Sequence, residues 1–170
     1  DNAKPGGRYG TIFFVTSSDK KSEEMRVGTL VIANIVGAVS KTGSIVNFIA
    51  PRLILGSSVD FTVAYTNTGA THYETKADIT VKNIFWNSGS TTSDQKFIYP
   101  GVSRVLTAHW QQALLLGVYT AQASVLDGSG VVHTATKHFV AISYPLFALV
   151  IIICVCGVWY YRRRISKRLV

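Results

Sequence analysis

The chain has 170 residues, enough for one domain of ordinary size and an anchor, but not for two complete domains and an anchor. Its formal charge of +8 is unevenly placed. Arg162, Arg163, Arg164, Lys167 and Arg168 crowd the last nine positions, which leaves twelve basic against nine acidic residues in the remainder. No strongly basic face follows from that balance, so nucleic acid is excluded as an expected partner.

Both cysteines, Cys154 and Cys156, lie in one apolar run near the C-terminus. The rest of the chain must therefore hold together by core packing, without the disulfides common in small exported domains. It also has no Asn-x-Ser/Thr sequon, and the two absences together fit a bacterial exported protein. The opening residues Asp1-Asn2-Ala3-Lys4-Pro5-Gly6-Gly7 contain no apolar signal segment. The expectation is a leader already removed, or a chain that is the C-terminal part of something longer.

Taken in chain order, Pro5-Gly6-Gly7-Arg8-Tyr9-Gly10-Thr11 opens a strand at Thr11–Thr16, followed by the polar loop Ser17–Glu24 and a return strand at Met25–Ile35. Further on, Ser44–Ala50 reads as a strand. Val59, Phe61, Val63 and Tyr65 alternate with polar or small residues up to the turn Asn67-Thr68-Gly69. Ile79 and Val81 alternate with Thr80 and Lys82 within Tyr73–Trp86, before a break at Asn87-Ser88-Gly89-Ser90. Val102, Leu106, Ala108 and Trp110 follow Tyr99-Pro100-Gly101. Tyr119, Ala121, Ala123 and Val125 run into the hairpin turn Asp127-Gly128-Ser129-Gly130, and Val131–Ile142 returns. About seven strands between Gly37 and Ser143, with turns every 8–15 residues, predict an antiparallel β-sandwich of the immunoglobulin type.

Leu115-Leu116-Gly117-Val118-Tyr119-Thr120-Ala121 resembles the tyrosine corner of that fold. In it, the Tyr hydroxyl bonds to nearby backbone and the second residue after it faces the core. Here that second residue is Ala121, in keeping with the lack of a disulfide. Gly7-Arg8-Tyr9 repeats the motif, and residues 1–36 repeat the strand, loop and strand of Gly117–Ile142. A lone hairpin is marginal in water, so residues 1–36 read as the closing hairpin of a preceding, truncated domain. Extra edge strands of a single domain are the alternative. Truncation predicts that Ile12, Phe13, Phe14, Leu30 and Ile32 leave one apolar face exposed.

From Phe139 to Tyr161 no residue is charged, and about 20 apolar residues cross a hydrocarbon core of roughly 30 Å. Tyr144 flanks one end of the run and Trp159, Tyr160 and Tyr161 the other, as in an aromatic belt. The basic cluster Arg162, Arg163, Arg164, Lys167 and Arg168 places the C-terminus in the cytoplasm and everything before the span outside. Cys154 and Cys156, two apart on a helix, point about 200° away from each other and cannot pair. The predicted divisions are therefore residues 1–36, a hairpin remnant; 37–143, an Ig-like sandwich; 144–161, a transmembrane helix; and 162–170, a basic cytoplasmic tail.

Catalytic and metal motifs are missing: there is no Gly-rich phosphate loop, no Gly-x-Ser-x-Gly and no His-Glu-x-x-His. His133 and His138, five apart on one predicted strand, should point to opposite faces. No enzyme activity and no cofactor or metal is expected. Trp86, Tyr99 and Trp110 are the candidates for a glycan-binding surface.

The series Pro-Gly-Gly-x-Tyr-Gly, Tyr65-Thr66-Asn67-Thr68-Gly69, Tyr99-Pro100-Gly101-Val102-Ser103-Arg104 and Gly117-Val118-Tyr119 is similar to bacterial membrane-anchored surface proteins with tandem Ig-like domains. These include the WxL-interacting type and CARDB-like modules. The resemblance implies a stalk, adhesion or wall-binding role without catalysis. The expected partners are the lipid bilayer and a cell-wall glycan or another surface protein. The expected function is a structural or adhesion module that presents or spaces distal domains, the alternatives being an envelope glycan-binding module or the non-catalytic part of a membrane-bound enzyme.

Overall fold

The computed structural model describes residues 3–16, 25–84, 87–112 and 115–166. Among them are twelve strands and one helix: β1 (Gly6–Thr16), β2 (Met25–Ile35), β3 (Gly43–Ile49), β4 (Leu53–Leu55), β5 (Ser58–Asn67), β6 (Tyr73–Thr75), β7 (Ala77–Asn83), β8 (Asn87–Thr92), β9 (Lys96–Ile98), β10 (Ser103–Gln111), β11 (Leu116–Leu126), β12 (Val132–Ile142) and α1 (Tyr144–Ser166). The chain is thus mostly β-sheet, with one apolar helix at its C-terminal end.

Two sheets enclose the core. One has the order β10-β5-β3 and is antiparallel throughout; the other has the order β4-β12-β11-β7-β8, with β4 parallel to β12. Period-2 alternation decides which side chains meet. Val59, Phe61, Val63 and Tyr65 of β5 turn inward, as do Ala77, Ile79 and Val81 of β7 and Tyr119, Ala121, Ala123 and Val125 of β11. Across the gap, the rings of Phe61 and Phe139 lie 5.9 Å apart, and those of Trp110 and Tyr119 lie 6.1 Å apart. Tyr119 is buried, and its hydroxyl accepts the Leu116 backbone N–H at 3.0 Å, the local bond expected of Gly-x-Tyr.

The strand count differs from the expected seven. Ten strands lie between Gly43 and Ile142, because short pieces cross from sheet to sheet. The run Tyr73–Trp86 divides at Lys76: β6 pairs with β9, whereas β7 pairs with β11 and β8. The expected break at Asn87–Ser90 is instead the start of β8, an edge strand. A bulge opposite Val81 and Lys82, with Gly89 at φ +128°, carries the irregularity that the sequence shows as turn residues.

β1 and β2 pair antiparallel over eleven residues each, so the first strand begins at Gly6 and not at Thr11. Phe13, Phe14 and Ile32 are exposed by 64%, 62% and 45%. Exposure is not confined to one face. Four consecutive apolar residues, Ile12 to Val15, must alternate sides. Ile12 and Phe14 line one face with Val27 and Val31, while Phe13 lines the other with Leu30 and Ile32.

α1 extends to Ser166, so residues 162–166, expected in the tail, continue the helix. Lys167 and Arg168 lie outside the described residues. Residues Tyr144–Arg162 have a mean hydropathy of 2.0, and none of that stretch is buried by the rest of the chain.

The turn joining β11 to β12 is organised by the Asp127 carboxylate, whose side chain is 1% exposed. One oxygen accepts from the Ser129 N–H, the Ser129 hydroxyl and the Val131 N–H at 2.7–2.9 Å; the other lies 3.1 Å from His133 Nε2. Burial by itself would raise the carboxyl pKa, but these bonds outweigh it and hold the group at about 2. Behind it, the Tyr65 and Tyr73 hydroxyls bond at 3.0 Å, and Tyr73 donates to the Thr42 carbonyl. Burial pushes both phenols upward, Tyr65 beyond its ordinary range, and the mutual bond adds to the rise at Tyr65. Because the Asp127 pKa is lowered on folding, its contribution is complete above the unfolded value near 4 and disappears as pH falls through about 2. Chemical denaturation of the detergent-solubilised chain at pH 5 and at pH 2 should show the native protein losing roughly 2 kcal/mol more than an Asp127→Asn variant.

Candidate functional site

Of the three residues expected at a glycan surface, the two that are described, Tyr99 and Trp110, do not come together. Trp110 is 4% exposed and packs on Tyr119 inside the core, where alternation along β10 places it with Leu106 and Ala108. That burial removes it from any surface. Tyr99 lies beyond the opposite end of β10, and Trp86 is outside the described residues. Of the basic cluster, Arg162 is exposed on the last part of α1; Arg163 and Arg164 follow in the same helix.

Tyr99 belongs instead to a joint between the β1–β2 hairpin and the two-sheet body. The Gly7 N–H donates to the Ala70 carbonyl at 3.0 Å, in the loop between β5 and β6. Two residues on, the Tyr9 hydroxyl accepts the His72 backbone N–H at 3.0 Å and shares a 2.8 Å bond with His72 Nδ1. The Tyr9 ring meets Tyr99 edge-on at 4.9 Å and His72 at 5.7 Å. Glycine is required here. A Cβ at Gly6, which has φ +135°, would come within 2.8 Å of the Ala70 oxygen, and a Cβ at Gly7 would overlap the Tyr9 ring. Two backbone-anchored bonds and three aromatic rings fix the hairpin at this end.

The two hairpins share one register. Tyr9 is the fourth residue of β1 and pairs with Ile32, fourth from the end of β2; Tyr119 is the fourth residue of β11 and pairs with Phe139, fourth from the end of β12. All four strands have eleven residues. The two tyrosines nevertheless bond differently. Tyr119 takes its partner from its own strand entry, whereas Tyr9 takes its partner from the body that follows it.

The other end of the body runs straight into α1. Ile142 ends β12, Ser143 follows, and Tyr144 begins the helix. The Ser143 N–H donates to the Leu115 carbonyl at 2.8 Å, the Gly56 N–H donates to the Ile142 carbonyl at 3.0 Å, and the Phe147 N–H donates to the Ser143 carbonyl at 3.0 Å. Sheet and helix are therefore joined by a single hydrogen-bonded residue.

The histidines serve local contacts. His133 faces Asp127, whereas His138 bonds the Thr120 hydroxyl at 3.0 Å on the outer face, so the two point to opposite sides. His109 lies 2.6 Å from Asp60, both exposed. Among the described residues, no three His, Cys, Asp or Glu side chains gather as metal ligands would. The role of Tyr9 and His72 was not legible in the sequence. Gly-x-Tyr marks a strand entry, but nothing local tells which loop the hydroxyl will meet.

No family model matches the sequence, and no curated protein matches it. Among solved structures, the chain is similar to the beta-glucuronidase 2 of Bacteroides uniformis at 6% identity and a TM-score of 0.41, covering 55% of this chain and 12% of that one. It is also similar to Spo0M, a sporulation control protein from Bacillus subtilis, at 10% identity and a TM-score of 0.40, covering 65% and 51%. A beta-glucosidase from Kluyveromyces marxianus follows at 9% identity and a TM-score of 0.38, covering 62% and 15%. The chain thus spans at most about half the length of these proteins, and likeness at this level carries no argument about it.

Removing the Tyr9 hydroxyl tests the joint. A hydrogen bond worth about 1 kcal/mol corresponds to roughly a fivefold change in a local opening equilibrium. Tyr9→Phe should speed hydrogen exchange of the His72 amide by about that factor, while amides of β5 and β11 keep their native rates.

Proposed function

We propose that this chain is a non-enzymatic, membrane-anchored module of the cell surface, in which α1 crosses the bilayer and an Ig-like body holds distal domains at a fixed distance and angle. The observation that carries this reading is the pair of hydrogen-bonded attachments at opposite ends of β5. The β4–β5 turn is bonded through Gly56 to the carbonyl of Ile142, which ends β12 just before α1, and the loop after Asn67 is bonded to the hairpin through Ala70 and His72. A ten-residue strand separates them by about 30 Å. An element bonded to its neighbours at both ends suits spacing and presentation.

The register shared by the hairpins supports a tandem arrangement. Phe13, Leu30 and Ile32 occupy the face of β1–β2 that corresponds to the core-facing side of β11–β12, so they are the side chains a preceding Ig-like domain would cover. The Tyr9 bonds would then set the angle between two successive domains. The glycan-binding alternative loses Trp110 to the core, and no observation favours it over the structural reading.

The aromatic residues at both ends of the apolar run of α1 and the arginines that follow it support a single-pass orientation with the sheets outside and the C-terminus in the cytoplasm. With Cys154 and Cys156 replaced by Ala, a membrane-impermeant maleimide should label Ser129→Cys in intact cells and Ser166→Cys only after lysis. The reverse pattern would invert the orientation. Labelling of both in intact cells, together with release of the chain by alkaline carbonate, would remove the anchor.

A further inference from the structure

The outer face of the five-stranded sheet changes character along its length. Next to α1, the register aligns Leu116 with Ile142 and Leu55, and Val118 with Val140 and Leu53. Leu53, Leu55, Leu116, Val118 and Val140 are exposed by 61%, 47%, 52%, 43% and 37%. The next rungs are polar: Lys82, Thr120 and His138, then Thr80, Gln122 and Thr136. Beside α1 the apolar character therefore stops after two rungs, a height of roughly 7–10 Å at the rise of a β-strand, and it returns only at Leu126 and Val132, at the end of the sheet away from the helix. Apolar groups that sit in a bilayer interface reach a depth of about 5–10 Å.

At the same height the outer face of the other sheet is hydrophilic. Ser58 pairs with Gln111, and Asp60 pairs with His109, to which it is hydrogen-bonded at 2.6 Å. One side of the base is thus apolar and the opposite side polar. Arg52 precedes Leu53, and Lys82 stands one rung above Val118; both are exposed, so cations border the apolar cluster. The single-residue junction at Ser143 keeps these rungs beside the first turn of α1, and the Tyr144 ring packs beside Gly56.

We infer that the body leans on the outer leaflet of the bilayer that α1 crosses, seating Leu53, Leu55, Leu116, Val118 and Val140 in the lipid interface with Arg52 and Lys82 against lipid phosphates. The occupant follows from continuity, since the cluster adjoins a segment apolar enough to span, and from the complementary charge of its rim. This inference rests on the anchor reading, and it adds a tilt that the anchor alone does not require. Lipid contact along one face would set the direction in which the hairpin at the far end points.

The test uses the full chain, with Cys154 and Cys156 replaced by Ala, in vesicles containing phosphatidylglycerol. Nitroxide labels are placed at Val118→Cys, Gln111→Cys and, inside the span, Val155→Cys. The first two sites are exposed positions near the base on opposite faces, so labelling leaves the core intact. The expected result is a label at 118 accessible to lipid-dissolved oxygen and shielded from aqueous nickel chelate, a label at 111 with the reverse preference, and a label at 155 deep in lipid. Water exposure at both 118 and 111, with 155 in lipid, overturns the tilt and leaves the anchor standing. A label at 155 outside lipid overturns the anchor itself. Dipolar broadening at 118 that disappears on dilution with unlabelled chain would show that a second copy covers the cluster, and lipid exposure at both 118 and 111 would show no preferred face; either result overturns the inference.

Discussion

The structure depends on aromatic packing across the gap between two sheets. Outside α1 the chain has no cysteine, so no covalent link assists the contacts of Phe61 with Phe139 and of Trp110 with Tyr119. Each buried aromatic side chain contributes about 1.5–3 kcal/mol by leaving water. Small residues opposite them, Ala77, Ala121 and Ala123, let the sheets approach closely enough for the rings to interdigitate. The corner bond of Tyr119 ties this core to the entry of β11, next to the residue that receives the Ser143 N–H. Core packing and helix attachment are therefore mechanically continuous.

Polar groups are placed where the apolar layers end. Asp127 closes the β11–β12 turn by accepting three bonds on one oxygen, and the Tyr65–Tyr73 pair fills the same end of the core without leaving a hydroxyl unbonded. Asn67, also buried, donates to the Thr71 and Ile98 carbonyls and accepts the Gly69 N–H, which shapes the loop that Tyr9 reaches. The joint to the hairpin thus stands on backbone that is already fixed from within the body.

A β-rich body that runs into one helix long and apolar enough to span a membrane is a simple architecture, and its two ends differ. One end is apolar on one outer face and runs into α1; the other carries the Asp127 turn, the exposed Leu126 and Val132 beside it, and a half-buried tyrosine clamp. The hairpin beyond that clamp exposes apolar residues on both faces, more than a solitary ribbon keeps stable in water.

The sequence by itself determined the element types. Alternation in Ser58–Asn67, the turn at Asp127-Gly128-Ser129-Gly130, the Gly-x-Tyr bond at Tyr119 and the uncharged run of α1 are all local signals, since strand period, turn chemistry and span length act within ten or twenty residues. Tertiary structure alone decided the rest. It divided Tyr73–Trp86 between two pairings, made Asn87–Thr92 an edge strand and took Trp110 into the core while leaving Tyr99 at the hairpin joint. It also assembled a base from β4, β11 and β12 that no contiguous stretch encodes. In each case the outcome rests on which distant strand supplies the missing hydrogen bonds and covers the apolar face, and a periodicity of two records that a face must be covered without recording by what.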